Sequence, residues 1–413
     1  MTDARTGTLP GPALAAIRDG DARYIMGTYA RQPIAIERGE GVRVWDTEGR
    51  EYLDMVGGIA VNVLGHSAPA VRDAIIAQSS QVIHTSNLYH TRPQVRLAQM
   101  LVERAFPSRV FFCNSGTEAN EAAIKIARKW GRQHRGGAFR IVCTEGSFHG
   151  RTLGSLAATG TPRYQEPFAP MPEGFVHVPY NDAEAIAAAV DDRTAAVLIE
   201  PIQGESGVLP MGDATLRAVR AICDDRGVLL MLDEVQSGMG RTGRWWAHAH
   251  AGIVPDVMTV AKGLGGGVPI GAVLAAPHAD VLTPGDHGCT FGGNPLAAAA
   301  GAAVMTTIIA ERLIENAARV GSYLASALAA LVTPGGDVAA VRGRGLMLGV
   351  VLRSDIAPRV VAQALASGLI VNATGKNVLR LVPPLTLTKA DAAEAVRLLG
   401  AAIAAAGTGD GGS

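Results

Sequence analysis

The chain has 413 residues, 48% of them apolar and 18% charged, which is enough for two or three domains with sizeable cores. Lysine plus arginine and aspartate plus glutamate number 37 each, so the formal net charge is zero. Nothing in that balance favours nucleic acid or an anionic membrane as a partner. Four cysteines, Cys113, Cys143, Cys223 and Cys289, lack metal-ligand spacing and lie in or beside apolar or glycine-rich stretches, so buried free thiols in a reducing compartment are expected. The start, Met1-Thr-Asp-Ala-Arg-Thr-Gly7, has no apolar leader core, and no apolar run is long enough to span a bilayer. A soluble, cytoplasmic protein is expected.

Roughly the first 20 residues and the tail Gly407–Ser413 are expected to be frayed. Residues 34–55 predict a small β-unit: Ile34–Ile36, Val42–Trp45, a turn over Asp46–Gly49, then Tyr52–Leu53. From about 70 to 290, apolar runs alternate with helical patterns. The runs are Val110–Phe112, Arg140–Val142, Ala196–Ile199, Val228–Leu232, Val257–Ala261 and Ala272–Ala275. The helical patterns cover 118–132, 182–190 and 213–226. Such alternation predicts an α/β domain with a mostly parallel central sheet covered on both faces. An Ala-rich helical stretch follows over 295–332, bent or broken near Glu311–Asn316. Region 338–405 predicts strands near Leu346–Leu352 and Val378–Val382 and helices at 356–367 and 388–405. The simplest partition is a large domain over 66–300, a connecting helical stretch over 301–333, and a smaller α+β domain from both chain ends, 1–65 and 334–413.

Asp233 and Lys262 each follow an apolar run at the point where a buried strand emerges. Ligands of open α/β sheets bind at that edge. A lysine able to form a Schiff base and an acid able to pair with a pyridinium nitrogen suit pyridoxal phosphate. A helix-capping Asp233 and a surface Lys262 are the plainer alternatives. The glycines from Gly263 to Gly267 and the apolar run before Lys262 argue against the second.

Other segments add candidate contacts. Asn114-Ser115-Gly116-Thr117-Glu118 opens a helix after the run 110–112, with capping-box spacing between Ser115 and Glu118. It suits a phosphate, or simply a capped helix. In Gly146–Thr152, Phe148 suits stacking on a flat ring and Arg151 suits a carboxylate, against a plain surface loop. His149 reads as a base or as packing. Glu200 and Glu205 read as general acid–base groups, or, in the favoured reading, as a helix-cap and salt-bridge residue and a switchable ion-pair residue respectively. Gln236 lies three residues past Asp233 and can reach the same ligand. Gly288–Pro295 is a glycine-rich turn whose hydroxyl suits a phosphate or nothing beyond the turn. No GxxxxGK[ST], HExxH or paired CxxC occurs, so P-loop and zinc chemistry are not expected.

Taken in order, Gly57–His66, His84–Tyr89, Phe111–Ala123, Phe148–Thr152, Ala261–Gly267 and Thr290–Pro295 resemble the class III (ω-) aminotransferases, enzymes of pyridoxal-phosphate fold type I. The similarity runs from about Tyr29 to Leu385 and is greatest to the acetylornithine aminotransferases. It implies that Lys262 binds the cofactor covalently and moves the proton, and that Asp233 pairs with the ring nitrogen. Gln236 would sit by the ring hydroxyl and Phe148 on the ring. Ser115, Gly116 and Thr117 would hold the phosphate, joined by Thr290 of a neighbouring subunit in a homodimer. Arg151 would bind the donor's carboxylate and later the distal carboxylate of 2-oxoglutarate. Arg380 would take the α-carboxylate of 2-oxoglutarate, and Glu205 would cover Arg380 while the amine donor is bound. Tyr29, Ile59 and Cys289 would line the substrate pocket. Ile59 replaces a tyrosine of the ornithine enzymes, and Cys289 a serine or threonine common in the acetylornithine ones. The implied reaction moves the δ-amino group of N2-acetylornithine to 2-oxoglutarate, giving glutamate. N-succinyl-diaminopimelate, succinylornithine, ornithine or 4-aminobutyrate are alternative donors.

Overall fold

A computed structural model describes residues 12–407. At its centre is a seven-stranded sheet in the order Arg109–Cys113, Gly271–Ala275, Val257–Val260, Leu229–Asp233, Thr194–Ile199, Arg140–Thr144, Phe175–Val178. The pairings are parallel except the two made by Gly271–Ala275, which runs against both neighbours.

The apolar runs form strands because both faces of each residue row are covered. Leu229 and Met231 pack on one side with the helix Gly116–His134, while Leu230 and Leu232 pack on the other with Ala183–Ala189 and Asp213–Arg226. Alternate side chains of a strand point to opposite faces, so a run apolar at every position requires two such layers. Each fully buried Leu, Ile or Val contributes about 1.5–3 kcal/mol of transfer free energy.

Two four-stranded sheets complete the fold. One joins Ile36–Glu40, Arg43–Asp46 and Glu51–Asp54 to Leu369–Ile370, which pairs in parallel with Leu53 and Asp54. The chain's beginning and end therefore meet in one sheet. The other holds Val338–Arg344, Met347–Leu352, Val378–Leu381 and Asn372–Ala373, with Arg380 opposite Gly349 and Asn372. The turn at 46–49 closes through Asp46 Oδ1, which accepts from Glu48 N at 3.0 Å and Arg50 N at 2.9 Å.

Several expectations are corrected. Pro12–Tyr24 is helical where a frayed end was expected, although only Leu14 is buried. The helix Lys389–Gly407 reaches the start of the expected tail. Residues 1–11 and 408–413 lie outside the described residues. The first small strand is Ile36–Glu40 rather than Ile34–Ile36, and the strands Phe175–Val178 and Val338–Arg344 were not anticipated. The break expected near Glu311–Asn316 in the Ala-rich stretch is present: at Arg312, φ 54°, it divides into Pro295–Ala310 and Leu313–Ala329, bent by 65°. No single helix among the described residues is long and apolar enough to cross a membrane.

Candidate active site

The carboxyl ends of the parallel strands open on a cavity of about 420 Å³. Asp233 ends its strand there and is 5% exposed. Its Oδ2 accepts from Asn120 Nδ2 at 2.8 Å and from the Nδ1–H of His149 at 2.8 Å, while Oδ1 accepts from Val235 N at 3.0 Å. Asn120 is itself held by Thr259, whose hydroxyl donates to Asn120 Oδ1 at 2.9 Å. These donors give both oxygens of the buried side chain hydrogen-bond partners.

Lys262 follows the neighbouring strand, Val257–Val260, with φ 42°, a left-handed conformation that costs a non-glycine residue about 1–3 kcal/mol and clusters at functional sites. Its side chain lines the cavity. Burial pushes the amine down to about 8, against the opposing pull of Glu205, Asp233 and Glu200.

Ser115 caps the helix Gly116–His134, its Oγ accepting from Glu118 N at 3.3 Å. The Glu118 carboxylate reaches back to Asn114 N at 2.8 Å, one residue before the cap. Glycine is required at two places here. A Cβ on Gly116 would lie 2.8 Å from Val235 Cγ1, and one on Gly150, φ 139°, would lie 2.1 Å from Thr117 Oγ1. Thr117 Oγ1 accepts from Arg151 N at 3.2 Å and Thr152 N at 3.3 Å, tying the two loops together.

Phe148 lines the cavity, its amide donating to Glu200 Oε2 at 2.9 Å. Glu200 also accepts from Gly204 N at 3.4 Å and is 5% exposed, so burial, then the charge of Asp233, pushes its carboxyl well above the usual range. The expected helix-cap and salt-bridge role for Glu200 is therefore wrong: it is a buried carboxyl joining the Phe148 and Gly204 segments. Arg151 is exposed, with its guanidinium carbon 4.0 Å from the Tyr164 ring centroid and 5.6 Å from that of Phe148.

Arg380 is buried and its Nη1 donates to Glu205 Oε1, Gln236 Oε1 and Gly204 O, while Nε donates to Asn372 Oδ1 at 3.3 Å. Burial raises the Glu205 carboxyl, but the charges of Arg380 and Lys262 outweigh it and hold the group below its usual range. Gln236 also donates to Glu205 Oε1 at 3.4 Å.

Other expected site residues sit outside the cavity lining. Tyr29 is 76% and Ile59 42% exposed, and Thr290 is exposed. Cys289 is half-buried rather than buried, with Asn114 Nδ2 donating to its Sγ at 3.1 Å. Asn120, Val235 and Thr259 had not been anticipated. Asn120 carried a signal: it is a polar residue among Ala119, Ala122 and Ala123 on the buried face of a helix.

The donor set fits a phosphorylated pyridine aldehyde. A helix N-terminus with a glycine and two hydroxyls suits the phosphate. A carboxylate suits the ring nitrogen, an amine of lowered basicity the aldehyde, and an aromatic side chain the ring. Among the described residues, His149 Nε2 is buried without a hydrogen-bond partner.

A mixed, mostly parallel sheet carrying this set at its strand ends defines a pyridoxal-phosphate enzyme. Comparison with known proteins narrows the class. The family model "Aminotransferase class-III" matches residues 25–403. An acetylornithine aminotransferase of Gloeobacter violaceus is 52% identical over 379 residues, 91% of this chain and 95% of that one. Among solved structures, N-acetylornithine aminotransferase of Stenotrophomonas maltophilia is 41% identical with TM-score 0.81, covering 94% of this chain and 98% of that one. Ornithine aminotransferase of Toxoplasma gondii superposes with TM-score 0.92 at 32% identity, covering 96% of each chain. The chain belongs to the class III aminotransferases and is a pyridoxal-phosphate-dependent transaminase.

Proposed function

We propose that this enzyme moves the δ-amino group of N2-acetyl-L-ornithine to 2-oxoglutarate, giving N-acetyl-L-glutamate 5-semialdehyde and L-glutamate, a step of arginine biosynthesis. The observation that carries the reading is the buried Arg380 covered by Glu205 beside Lys262. That pair suits an amine with no adjacent carboxylate in one half-reaction and an α-keto acid in the other. The sequence supports the acetylated donor: identity is 52% to an acetylornithine enzyme against 32% to the ornithine one above.

The bound cofactor supplies an electron sink for the carbon that bears the amino group. Asp233, fixed by Asn120 and His149, keeps the ring nitrogen protonated. Lys262 would hold the cofactor through its aldehyde and, as the free amine once the substrate is bound, would serve as the base that moves the proton. Phe148 would stack on the ring, Gln236 would sit by its hydroxyl, and Ser115, Gly116 and Thr117 would hold the phosphate. Arg151 binds the donor's carboxylate, then the distal carboxylate of 2-oxoglutarate. Glu205 neutralises Arg380 in the first half-reaction and leaves it in the second, freeing the guanidinium for the α-carboxylate.

The same reading assigns Tyr29, Ile59 and Cys289 to the substrate's path. Thr290 is exposed and outside its own chain's cavity, which supports its acting on the phosphate of a second copy in a homodimer. Three buried free cysteines support a reducing, cytoplasmic location. The domain partition 1–65, 66–300, 301–333 and 334–413 belongs to the reading too, supported by the sheet that joins Leu369–Ile370 to Glu51–Asp54. The test is the formation of glutamate from acetylornithine and 2-oxoglutarate by purified enzyme, lost in K262A. No glutamate from the wild-type enzyme with this pair would refute it.

A further inference from the structure

Beside the cofactor cavity lies a second, polar cavity of about 430 Å³, and Glu205 forms part of its wall. Arg163, Tyr164 and Arg342 form others. Tyr164 stands between the two spaces. The Arg151 guanidinium carbon lies 4.0 Å from its ring centroid, and that of Arg163 lies 4.9 Å from it. Arg151 lines the first cavity and Arg163 the second.

The two arginines of the second cavity differ in commitment. Arg342 donates from Nε to Gly207 O at 2.8 Å and from Nη2 to Ser206 O at 3.5 Å, which holds the loop carrying Glu205. Arg163 donates to Tyr164 Oη at 3.1 Å, and among the described residues no carboxylate pairs with it. Glu205 has room to move, since its side chain is 31% exposed while that of Arg380 is 1% exposed. Arg380 is anchored besides by Gln236, Gly204 and Asn372, so it cannot follow the carboxylate. Glu205 lines the second cavity and is not among the residues lining the cofactor cavity. With the following backbone held by Arg342, the Glu205 side chain can leave Arg380 toward the second cavity, whose wall it already forms.

The structure assigns to Arg163 the resting place of the Glu205 carboxylate when Arg380 is taken by the α-carboxylate of the keto acid. Arg163 is then a positioning residue for the second half-reaction and touches neither substrate. This rests on the gating role of Glu205 proposed above. An ion pair with Arg163 offsets part of what Glu205 loses on leaving Arg380, whereas a carboxylate released without a partner would drift back to Arg380 and compete with the keto acid.

The test is a double-mutant cycle on holoenzyme pre-loaded with the amino group and mixed with 2-oxoglutarate. R163Q is expected to raise the half-saturating 2-oxoglutarate concentration about three-fold, the scale of a partly exposed ion pair. R163K, which keeps the charge, is expected to stay at the wild-type value, and half-saturation by the amine donor is expected to be unchanged in both. In the E205A background R163Q should have no further effect, because no carboxylate remains to be held. An R163Q effect that persists undiminished with E205A, or an equal effect on the amine donor, would overturn the proposal. E205A leaving the keto-acid and donor values both unchanged would sink the gate itself and the resting place with it.

Discussion

Arg380 and Glu205 form an asymmetric pair: the guanidinium is 1% exposed and the carboxylate side chain 31% exposed. The cation is fixed by neutral acceptors on three other residues, so the anion is the half that can depart. E205A is expected to uncover Arg380 permanently. Its KM for 2-oxoglutarate should fall, and the preference for an ω-amine over glutamate should drop by about tenfold or more, since a hydrogen bond to a charged group contributes about 1.5–3 kcal/mol. Steady-state kinetics with both donors check this.

Asp233 receives Asn120 and His149 on one oxygen and Val235 N on the other, which fixes both oxygens at the position proposed for the ring nitrogen. D233N removes the charge while nearly keeping the shape. A carboxylate partner shifts a neighbouring base by about 1–3 pKa units, so the half-reaction rate should fall roughly 10- to 1000-fold. A single-turnover measurement reads the loss directly.

Burial brings the Lys262 amine to about 8. The neutral amine attacks an aldehyde and the ammonium does not. Below about 8 the reactive fraction grows roughly tenfold per pH unit, and above it the fraction saturates. The rate of covalent pyridoxal-phosphate capture by cofactor-free protein should follow that curve. A plateau reached only near 10 would mean an unperturbed lysine.

Gly150 combines φ 139° with a would-be Cβ 2.1 Å from Thr117 Oγ1, whereas Gly137, φ 92°, has nothing within 4 Å. Both Gly→Ala variants carry backbone strain of about 1–3 kcal/mol. G150A alone also pushes Thr117 out of the proposed phosphate cradle. It should bind the cofactor about tenfold more weakly, with G137A unchanged in cofactor Kd and lowered only in Tm.

Much of this was legible because burial on both faces leaves a local trace. Leu229–Leu232 and Val257–Val260 read as interior strands without any partner in view, and the residues closing them mark the site. The direction of Gly271–Ala275 left no such trace, since composition is the same in either orientation. Glu200 was misread for a related reason. A carboxyl after a strand looks like a cap or an ion pair until packing places Phe148 N and Gly204 N around it. The support of Asp233 by Asn120 and His149 spans three separate elements, and only the folded chain brings them together. Pro12–Tyr24 escaped because it buries little beyond Leu14, so its apolar pattern is weak.

The central claim is the choice of amine donor. The decisive measurement is kcat/KM with 2-oxoglutarate as acceptor for acetylornithine, succinylornithine, succinyl-diaminopimelate, ornithine and 4-aminobutyrate. Acetylornithine is expected to lead, exceeding ornithine and 4-aminobutyrate by about tenfold or more, the scale on which a fitted pocket discriminates. A higher value for ornithine or 4-aminobutyrate would contradict the account.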